Sequence, residues 1–221
     1  MARAALAAIV PEAELQARTS RHLQTREKAV ALFAQRGFAQ VGLRELAGHL
    51  GIQAGSIYNH IESKQALLFE LIESLHLELL GIVTQPVRST RSAEKRLNEL
   101  ITAHLDLHRA KGDFFRVAEH EFHCLEAAQQ AAILVLRRRY ESHLIKLLAP
   151  LGLSSDDTLA LTTVRTFLCL LNNLPAWTEE AGLDSATYQA LMHNIALGAV
   201  KGALTPSARG TRSLQEPACR R

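Results

Sequence analysis

The stretch that decides the fold is GIQAGSIYNHIESKQALL, residues 51–68. A short helix is predicted to start at Gln53, although only three residues between Gln53 and Lys64 are large and apolar. A longer helix follows and opens with Lys64, a cation at the end where the helix macrodipole disfavours positive charge. A helix this polar, followed by a cation so placed, indicates a surface that meets a polar and negatively charged partner.

The segments before this stretch carry apolar stripes with helical spacing. These stripes predict a first helix over residues 20–36 that ends at Gly37 and a second over residues 43–50 that ends at Gly51. The polar helix begins shortly after Gly51. Two short helices joined by a tight, glycine-containing turn, the second polar on its exposed face, are typical of a helix-turn-helix.

The rest of the chain is predicted to be helical as well. Hydrophobic residues make up 48% of the 221 residues, enough for a substantial core, and only six residues are proline. No run of alternating β-branched residues favours a strand, so we expect an all-α protein. Further helices are predicted over residues 63–83, 91–110, 113–124, 126–149, 154–180 and 185–204.

The cysteine content indicates a reducing compartment, and the charge is divided unevenly along the chain. The three cysteines, Cys124, Cys169 and Cys219, have neither the number nor the spacing of a disulfide framework. Neither a signal peptide nor a membrane span is expected, and the cytoplasm is the expected location. Residues 21–64 carry a net charge of +3, whereas residues 65–202 carry −3. This division indicates a polyanion partner at one end.

Residues 26–68, REKAVALFAQRGFAQVGLRELAGHLGIQAGSIYNHIESKQALL, resemble the amino-terminal DNA-binding domain of TetR-family transcriptional regulators. The family pattern runs from A-x-x-L-F-x-x-x-G-[FY] in the first helix, through I/L-A-x-x-x-G-[IV] at the turn, to L/I-Y-x-[HY]-[FI]-x-x-K. The chain follows it almost without a gap. It departs at Gly42, where the family has a hydroxyl residue that caps the second helix and touches phosphate.

The resemblance implies a protein in two parts that binds double-stranded DNA. The fold expected is an N-terminal three-helix helix-turn-helix domain followed by a larger C-terminal helical domain for ligand binding and dimerisation. The expected division is a flexible N-terminal arm over 1–20, the DNA-binding domain over 21–66, the regulatory and dimerisation domain over 67–204, and a disordered tail over 205–221.

The face of the second short helix has the shape and chemistry that a DNA groove requires. Its residues are polar and sterically light, with Ile57 and Ile61 as anchors on the opposite side, and Asn59 has the donor and acceptor to pair with an adenine edge. Lys64 is expected to hold a phosphate, the alternative being a solvated lysine. The predicted DNA-binding residues, some of which rest on the resemblance, are Arg44, Gln53, Ala54, Gly55, Ser56, Tyr58, Asn59, His60 and Lys64.

The regulatory domain is read from its histidines and aromatic residues. His104 and His108 lie one helical turn apart, and a second group on the next helix contains His120, His123 and Cys124, with Glu119 and Glu121. Either group is open to three interpretations: a metal site, hydrogen-bonded core histidines, or the lining of a ligand pocket. We favour the pocket and predict no cofactor. The candidate ligand-binding residues are His104, His108, Phe115, His120, Phe122, His123, Phe167 and Trp177.

Three further features bear on the effector and on assembly. Residues 169–188, CLLNNLPAWTEEAGLDSATY, are similar to part of family members that sense acyl-coenzyme A thioesters. One arginine of the run 137–139 is expected to face inward and meet an anionic ligand group. The wide apolar stripes of the last two helices require a cover, and a homodimer on a palindromic operator is therefore expected.

These observations favour a repressor that a small molecule, such as an acyl-coenzyme A or another lipid-like or aromatic metabolite, releases from DNA. One alternative is a constitutive or architectural helix-turn-helix protein. Another is a metal-binding helical enzyme or metal sensor that uses the histidine clusters. No catalytic arrangement with recognisable spacing supports an enzyme.

Overall fold

A computed structural model describes residues 12–84, 92–178 and 182–204, and their regular secondary structure is entirely helical, with no β-strand among them. This confirms the predicted all-α class. The α-helices are α1 (Glu12–Arg36), α2 (Leu43–Leu50), α3 (Lys64–Thr84), α4 (Ala93–Ala110), α5 (Gly112–His120), α6 (Ala127–Leu148), α7 (Asp157–Thr178) and α8 (Ser185–Leu204). Three short 3₁₀ helices occupy Ala54–Asn59, Phe122–Cys124 and Ala149–Leu151.

Helix α1 is longer than its hydrophobic stripe predicts. It begins at Glu12, not at residue 20, so residues 12–20 are helical where a loose arm was expected; residues 1–11 lie outside the described part. The added turns contain Glu, Leu, Gln, Ala and Arg, which have high helix propensity without forming an apolar face. The helix ends as predicted at Gly37, whose φ of +82° is the left-handed conformation that glycine adopts readily.

Helix α2 has the predicted bounds and the turn that follows it is a glycine turn. Leu46, Ala47 and Leu50 are buried. Gly51 adopts φ +74°, and its N–H and that of Ile52 bond back to carbonyls of the helix. At the other end Gly42 gives α2 no side-chain cap, as its lack of a hydroxyl requires.

The second helix of the motif, Ala54–Asn59, is a 3₁₀ helix, and we call it the recognition segment. It starts one residue after the predicted Gln53, which forms its N-cap. Gln53 makes no side-chain cap hydrogen bond, and the second residue of the segment is a glycine. Both features lower the stability that a longer α-helix would have here. Next along the chain, Ser63 Oγ accepts a hydrogen bond from Ala66 N at 2.9 Å, which confirms Ser63 as the cap of the following helix.

Two compact units divide the chain in a way that the sequence does not reveal. The first contains residues 1–85 and 106–140, and the second contains residues 86–105 and 141–221. The helix-turn-helix therefore shares a unit with α3, α5 and the first part of α6, and the predicted boundary of a DNA-binding domain at residue 66 stays a prediction.

In the first unit α1 packs against α2 and α5, and α3 packs against α5. Its core is formed by apolar residues from all of these helices, including Phe33, Leu46, Ile57, Leu68, Leu71, Ile72, Leu75, Phe115 and Ile133.

The second unit is built largely on the pair α7 and α8. These helices pack on each other, and the Tyr188 hydroxyl donates a hydrogen bond of 2.7 Å to the carbonyl of Pro175 inside α7. Val164, Leu171 and Ala196 are among its buried residues. Across the described residues no helix has the length and apolar character that crossing a membrane requires.

Candidate nucleic-acid interface

The recognition segment exposes one face and anchors the other. Ile57 is only 1% exposed and Ile61 is also buried, which confirms that these two residues fasten the segment to the first unit. Tyr58 is 64% exposed, an unusual position for an aromatic side chain in a folded chain. The predicted reading face is otherwise exposed at Gln53, Ala54, Gly55, Asn59 and His60 and half-buried at Ser56.

The 3₁₀ geometry fixes which of these side chains share a side. Residues three apart are aligned in a 3₁₀ helix, so Ser56 and Asn59 lie on one line and Gly55 and Tyr58 on another. A Cβ added at Gly55 would meet no atom within 4 Å, so the space beside this glycine is open. The arrangement leaves room for a large partner to approach the backbone closely beside Asn59 and Tyr58.

Arg44 lies in the first turn of α2 and is exposed. Its neighbour Glu45 is 3.7 Å from Arg36 Nη1, at the end of α1. The structure thus places a solvated cation at the start of α2, as expected for a residue that contacts a base or a phosphate. Its contact with DNA stays a prediction.

Lys64 is held by the protein itself. Its ammonium donates hydrogen bonds of 2.8 Å to the Phe38 carbonyl and 2.7 Å to the Val41 carbonyl, and lies 4.2 Å from the centre of the Phe38 ring. These carbonyls belong to the connection between α1 and α2, so the cation ties the start of α3 to the helix-turn-helix. A lysine is tolerated at the start of this helix because its charge-assisted hydrogen bonds and cation–π contact outweigh a dipole cost of a few tenths of a kcal/mol.

The phosphate contact predicted for Lys64 has to use an N–H donor of the ammonium that the two carbonyls do not engage. An ammonium has three N–H donors, and two of them are engaged by carbonyls. The sequence did not reveal the carbonyl partners, because backbone acceptors carry no residue-type signal.

Two of the candidate ligand-binding residues are buried in the second unit. His104 Nε2 lies 3.1 Å from Asn172 Oδ1, and the His104 side chain has no exposed surface. Phe167 is buried as well. The third candidate in this unit, Trp177, lies in α7, but its side chain is outside the described part of the chain.

The remaining candidates lie in the first unit, where the structure brings two of them, His108 and Phe115, into contact. His108 is buried with its ring centroid 4.5 Å from that of Phe115, the geometry of a packed aromatic pair. His120 and His123 are exposed, and Phe122 lies beneath Arg137. Their role in ligand binding stays a prediction that these positions do not strengthen.

A half-buried hydrogen bond joins Arg137 to His76, a partner that the sequence did not single out, and the ligand contact expected of the arginine run stays a prediction. Arg137 is the member that faces inward; its Nε donates to His76 Nε2 at 3.0 Å and its Nη2 to the Ala118 carbonyl at 3.3 Å. The guanidinium also lies 4.6 Å from the Phe122 ring. Helical spacing gives a signal for this, because Ile133 and Tyr140, four residues before and three after Arg137, are both buried.

His76 is thereby kept neutral. Its Nδ1 lies 2.8 Å from the Ile72 carbonyl, which suits an Nδ1–H donor and leaves Nε2 as the acceptor for Arg137. Burial, and secondarily the charge of Arg137, lowers the pKa of His76 to about 4, against the opposing effect of the Ile72 bond.

The chain after α5 turns back toward the helix-turn-helix. Glu121 Oε1 accepts a hydrogen bond of 3.1 Å from Phe38 N, immediately after the end of α1. The other carboxylate oxygen accepts from the Cys124 thiol at 3.4 Å. Burial and the Glu121 carboxylate raise the pKa of the Cys124 thiol. Predicted as one helix over 113–124, this segment breaks at Glu121, whose side chain is used in the turn.

A small exposed helix on an anchored base, joined to α2 by a glycine turn, defines a helix-turn-helix DNA-binding protein. Comparison with known proteins bears this out: the family model "Bacterial regulatory proteins, tetR family" matches residues 26–71. The model "Tetracyclin repressor-like, C-terminal domain" matches residues 90–200. The chain belongs to the TetR family of transcriptional regulators.

Relatives and solved structures agree with this assignment. The HTH-type transcriptional repressor KstR2 of Rhodococcus jostii is 28% identical over 92 residues, which cover 42% of this chain and 45% of that protein. KstR2 of Mycobacterium tuberculosis is 34% identical over 84 residues, covering 38% and 42%. The chain thus spans less than half the length of these curated relatives.

The structural likeness extends over most of the chain. A TetR-family regulator from Bordetella parapertussis superimposes with a TM-score of 0.72 at 20% identity, covering 83% of this chain and 94% of the other. AibR, solved in complex with isovaleryl coenzyme A and operator DNA, gives a TM-score of 0.66 at 19% identity, covering 79% and 97%. At these identities the likeness shows the fold.

Proposed function

We propose that the protein is a ligand-responsive transcriptional repressor that binds a palindromic operator as a homodimer in the cytoplasm. The observation that carries this proposal is the recognition segment: a light, polar, exposed face on a base fixed by Ile57 and Ile61. Such a face fits the major groove, where each base pair presents a distinct pattern of donors and acceptors.

The reading residues divide by chemistry into two groups. Gln53, Ser56 and Asn59 can both donate and accept hydrogen bonds and would read base edges, while Ala54 and Gly55 permit close approach. Tyr58, His60, Arg44 and the remaining donor of Lys64 would contact phosphates and fix the register without specifying sequence.

Helix α3 offers a route by which a ligand could release DNA. It contains 21 residues, which at 1.5 Å each span about 32 Å. Its first residue, Lys64, is hydrogen-bonded to the connection between α1 and α2. A displacement of α3 would therefore carry the helix-turn-helix with it. Because two recognition segments must lie about 34 Å apart on the duplex, a small rotation disfavours the bound state.

An acyl-coenzyme A or another lipid-like or aromatic metabolite is the proposed effector. Two observations support it: the similarity of residues 169–188 to acyl-coenzyme A sensing members, and the isovaleryl coenzyme A bound by AibR. His104, which pairs with Asn172, and Phe167 are both buried in the second unit and would supply polar and apolar partners for such a ligand.

The homodimer is proposed from the surface of α8. Leu191 and Ile195, four residues apart on this helix, are exposed large apolar residues, with exposed Ala199 one further turn along. Apolar residues that line up in this way need a cover. Ile195→Glu should therefore shift the sedimenting species to monomer, whereas Asn194→Glu on the adjacent exposed position should not; a dimer unaffected by Ile195→Glu would contradict this interface.

The decisive test combines DNA binding with effector screening. Fluorescence anisotropy would compare fragments from the gene's own upstream region with scrambled duplex at several salt concentrations. Thermal shift against acyl-coenzyme A thioesters and aromatic acids would identify ligands, which stabilise the native state by mass action. Absence of any sequence preference refutes the repressor. Preference that no ligand changes would favour a constitutive binder instead.

A further inference from the structure

We propose that Glu121, His123 and Cys124 form a binding site for a zinc-class divalent metal ion, located where the chain after α5 touches the helix-turn-helix. One ligand atom from each of the three residues lies within 4.8 Å of the other two. Cys124 Sγ is 3.4 Å from Glu121 Oε2 and 3.4 Å from His123 Nε2.

These separations match a tetrahedral coordination sphere. Zinc binds thiolate, imidazole and carboxylate at about 2.0–2.3 Å, so two ligands of a tetrahedron lie roughly 3.3–3.7 Å apart. Both distances from Cys124 Sγ fall in this interval. Only the edge between Glu121 and His123 has to close, and His123 is exposed and free of the core. A water molecule would fill the fourth position.

The backbone that carries the ligands is held in place by side-chain amides. Gln65 Nε2 donates to the Cys124 carbonyl at 2.7 Å. Gln130 Nε2 donates to the Leu125 carbonyl at 2.9 Å and to the His123 carbonyl at 3.4 Å. Such support reduces the ordering cost of binding, since side chains from α3 and α6 hold the short 3₁₀ turn by hydrogen bonds.

The carboxylate is also oriented from outside the coordination sphere. Glu121 Oε1 accepts the Phe38 N–H, which leaves Oε2 directed toward the thiol. Ligating carboxylates are characteristically fixed by such outer hydrogen bonds. The ion would displace the thiol proton, so a thiolate and a carboxylate would balance its two positive charges and the ammonium of nearby Lys64 would remain bound to its carbonyls.

This geometry links the ion to the helix-turn-helix. An ion on Oε2 fixes the Glu121 side chain and with it the bond to Phe38 N, which closes the end of α1. Metal binding should therefore protect the Phe38 amide from hydrogen exchange as well as raise the unfolding temperature.

The test uses Co²⁺ as a spectroscopic probe in the full chain, with Cys169→Ser and Cys219→Ser as the parent background. The expected result is one Co²⁺ per chain, with tetrahedral ligand-field bands and a thiolate-to-cobalt charge-transfer band. Cys124→Ser should abolish the charge-transfer band. His123→Gln, at an exposed position where folding is not at risk, should weaken binding at least about tenfold.

The matched control is His120→Gln, which removes a nearby exposed histidine outside the cluster and should bind like the parent. Zn²⁺ should displace Co²⁺ and slow exchange of the Phe38 amide in the parent but not in Cys124→Ser. Three results would each overturn the proposal: no tetrahedral spectrum in the parent, an unchanged spectrum in Cys124→Ser, or an equal loss in His120→Gln.

Discussion

Replacing Lys64 by Met tests the attachment of α3 to the helix-turn-helix, because the substitution removes the ammonium and keeps a flexible side chain of similar reach. Two charge-assisted hydrogen bonds to the Phe38 and Val41 carbonyls are lost. Each contributes about 1.5–3 kcal/mol, with the lower end appropriate to a half-buried site that water can enter. The cation–π contact adds about 0.5 kcal/mol, which the sulfur–aromatic contact of Met partly replaces.

The net expectation is that Lys64→Met lowers the free energy of unfolding by about 3 kcal/mol. Urea denaturation at a fixed protein concentration measures this loss; at a slope of about 2 kcal/mol per molar urea, the midpoint falls by about 1.5 M. Lys28→Met, at an exposed position of α1 in the same unit, is the control and should change stability by less than about 0.5 kcal/mol. A Lys64→Met midpoint equal to that of the control would refute the reasoning.

Three further predictions concern DNA binding, pH and the glycine turn. Arg44→Ala should weaken binding to operator and random DNA alike, whereas Asn59→Ala should cost about 1–3 kcal/mol on the operator alone; anisotropy titrations on both duplexes would show the reverse pattern if the roles are misassigned. Because the folded pKa of His76, about 4, lies below its unfolded value of 6.5, the unfolded state binds more protons between these values, so its contribution to stability is fully present above pH 6.5 and is lost as pH falls toward 4. That loss of stability is on the order of 3 kcal/mol. In His76→Gln the free energy of unfolding should differ less between pH 7.5 and pH 4.5 than in the parent, and a pH dependence equal to that of the parent would contradict the assignment. Gly51→Ala, at φ +74° with no atom near the added Cβ, should cost about 1–2 kcal/mol from backbone strain alone, while Gly48→Ala inside α2 should be neutral or stabilising by up to about 1 kcal/mol; calorimetry that ranks the two variants the other way would exclude strain at the turn.

The sequence predicted the elements that a local pattern encodes. The stripe of α2, the glycine at its end and the cap at Ser63 are all properties of neighbouring residues, and each was confirmed. The start of α1 was missed because its first two turns have helix propensity without an apolar face, so periodicity has nothing to detect. The 3₁₀ form of Ala54–Asn59 was missed because periodicity over six residues does not separate it from an α-helix.

The site was predictable in composition but not in its connections. The exposed face of the recognition segment follows from its polar residues, whereas the carbonyl partners of Lys64 and the Phe38 bond to Glu121 join residues that are far apart in the sequence. Arg137 shows the same limit: its inward direction follows from helical spacing, but its partner His76 comes from another helix. Contacts between distant elements depend on packing, which local sequence patterns do not reveal.

The brevity of the recognition segment limits how much sequence one subunit can distinguish. Six residues at about 2.0 Å each cover about 12 Å, or roughly three to four base pairs at 3.4 Å per step. At two bits of information per base pair, two half-sites supply about 14 bits. Specifying one operator among about 10⁶ competing positions requires about 20 bits. Under the proposed function, the missing information has to come from the deformability of the spacer DNA, or the protein governs dozens of operators instead of one.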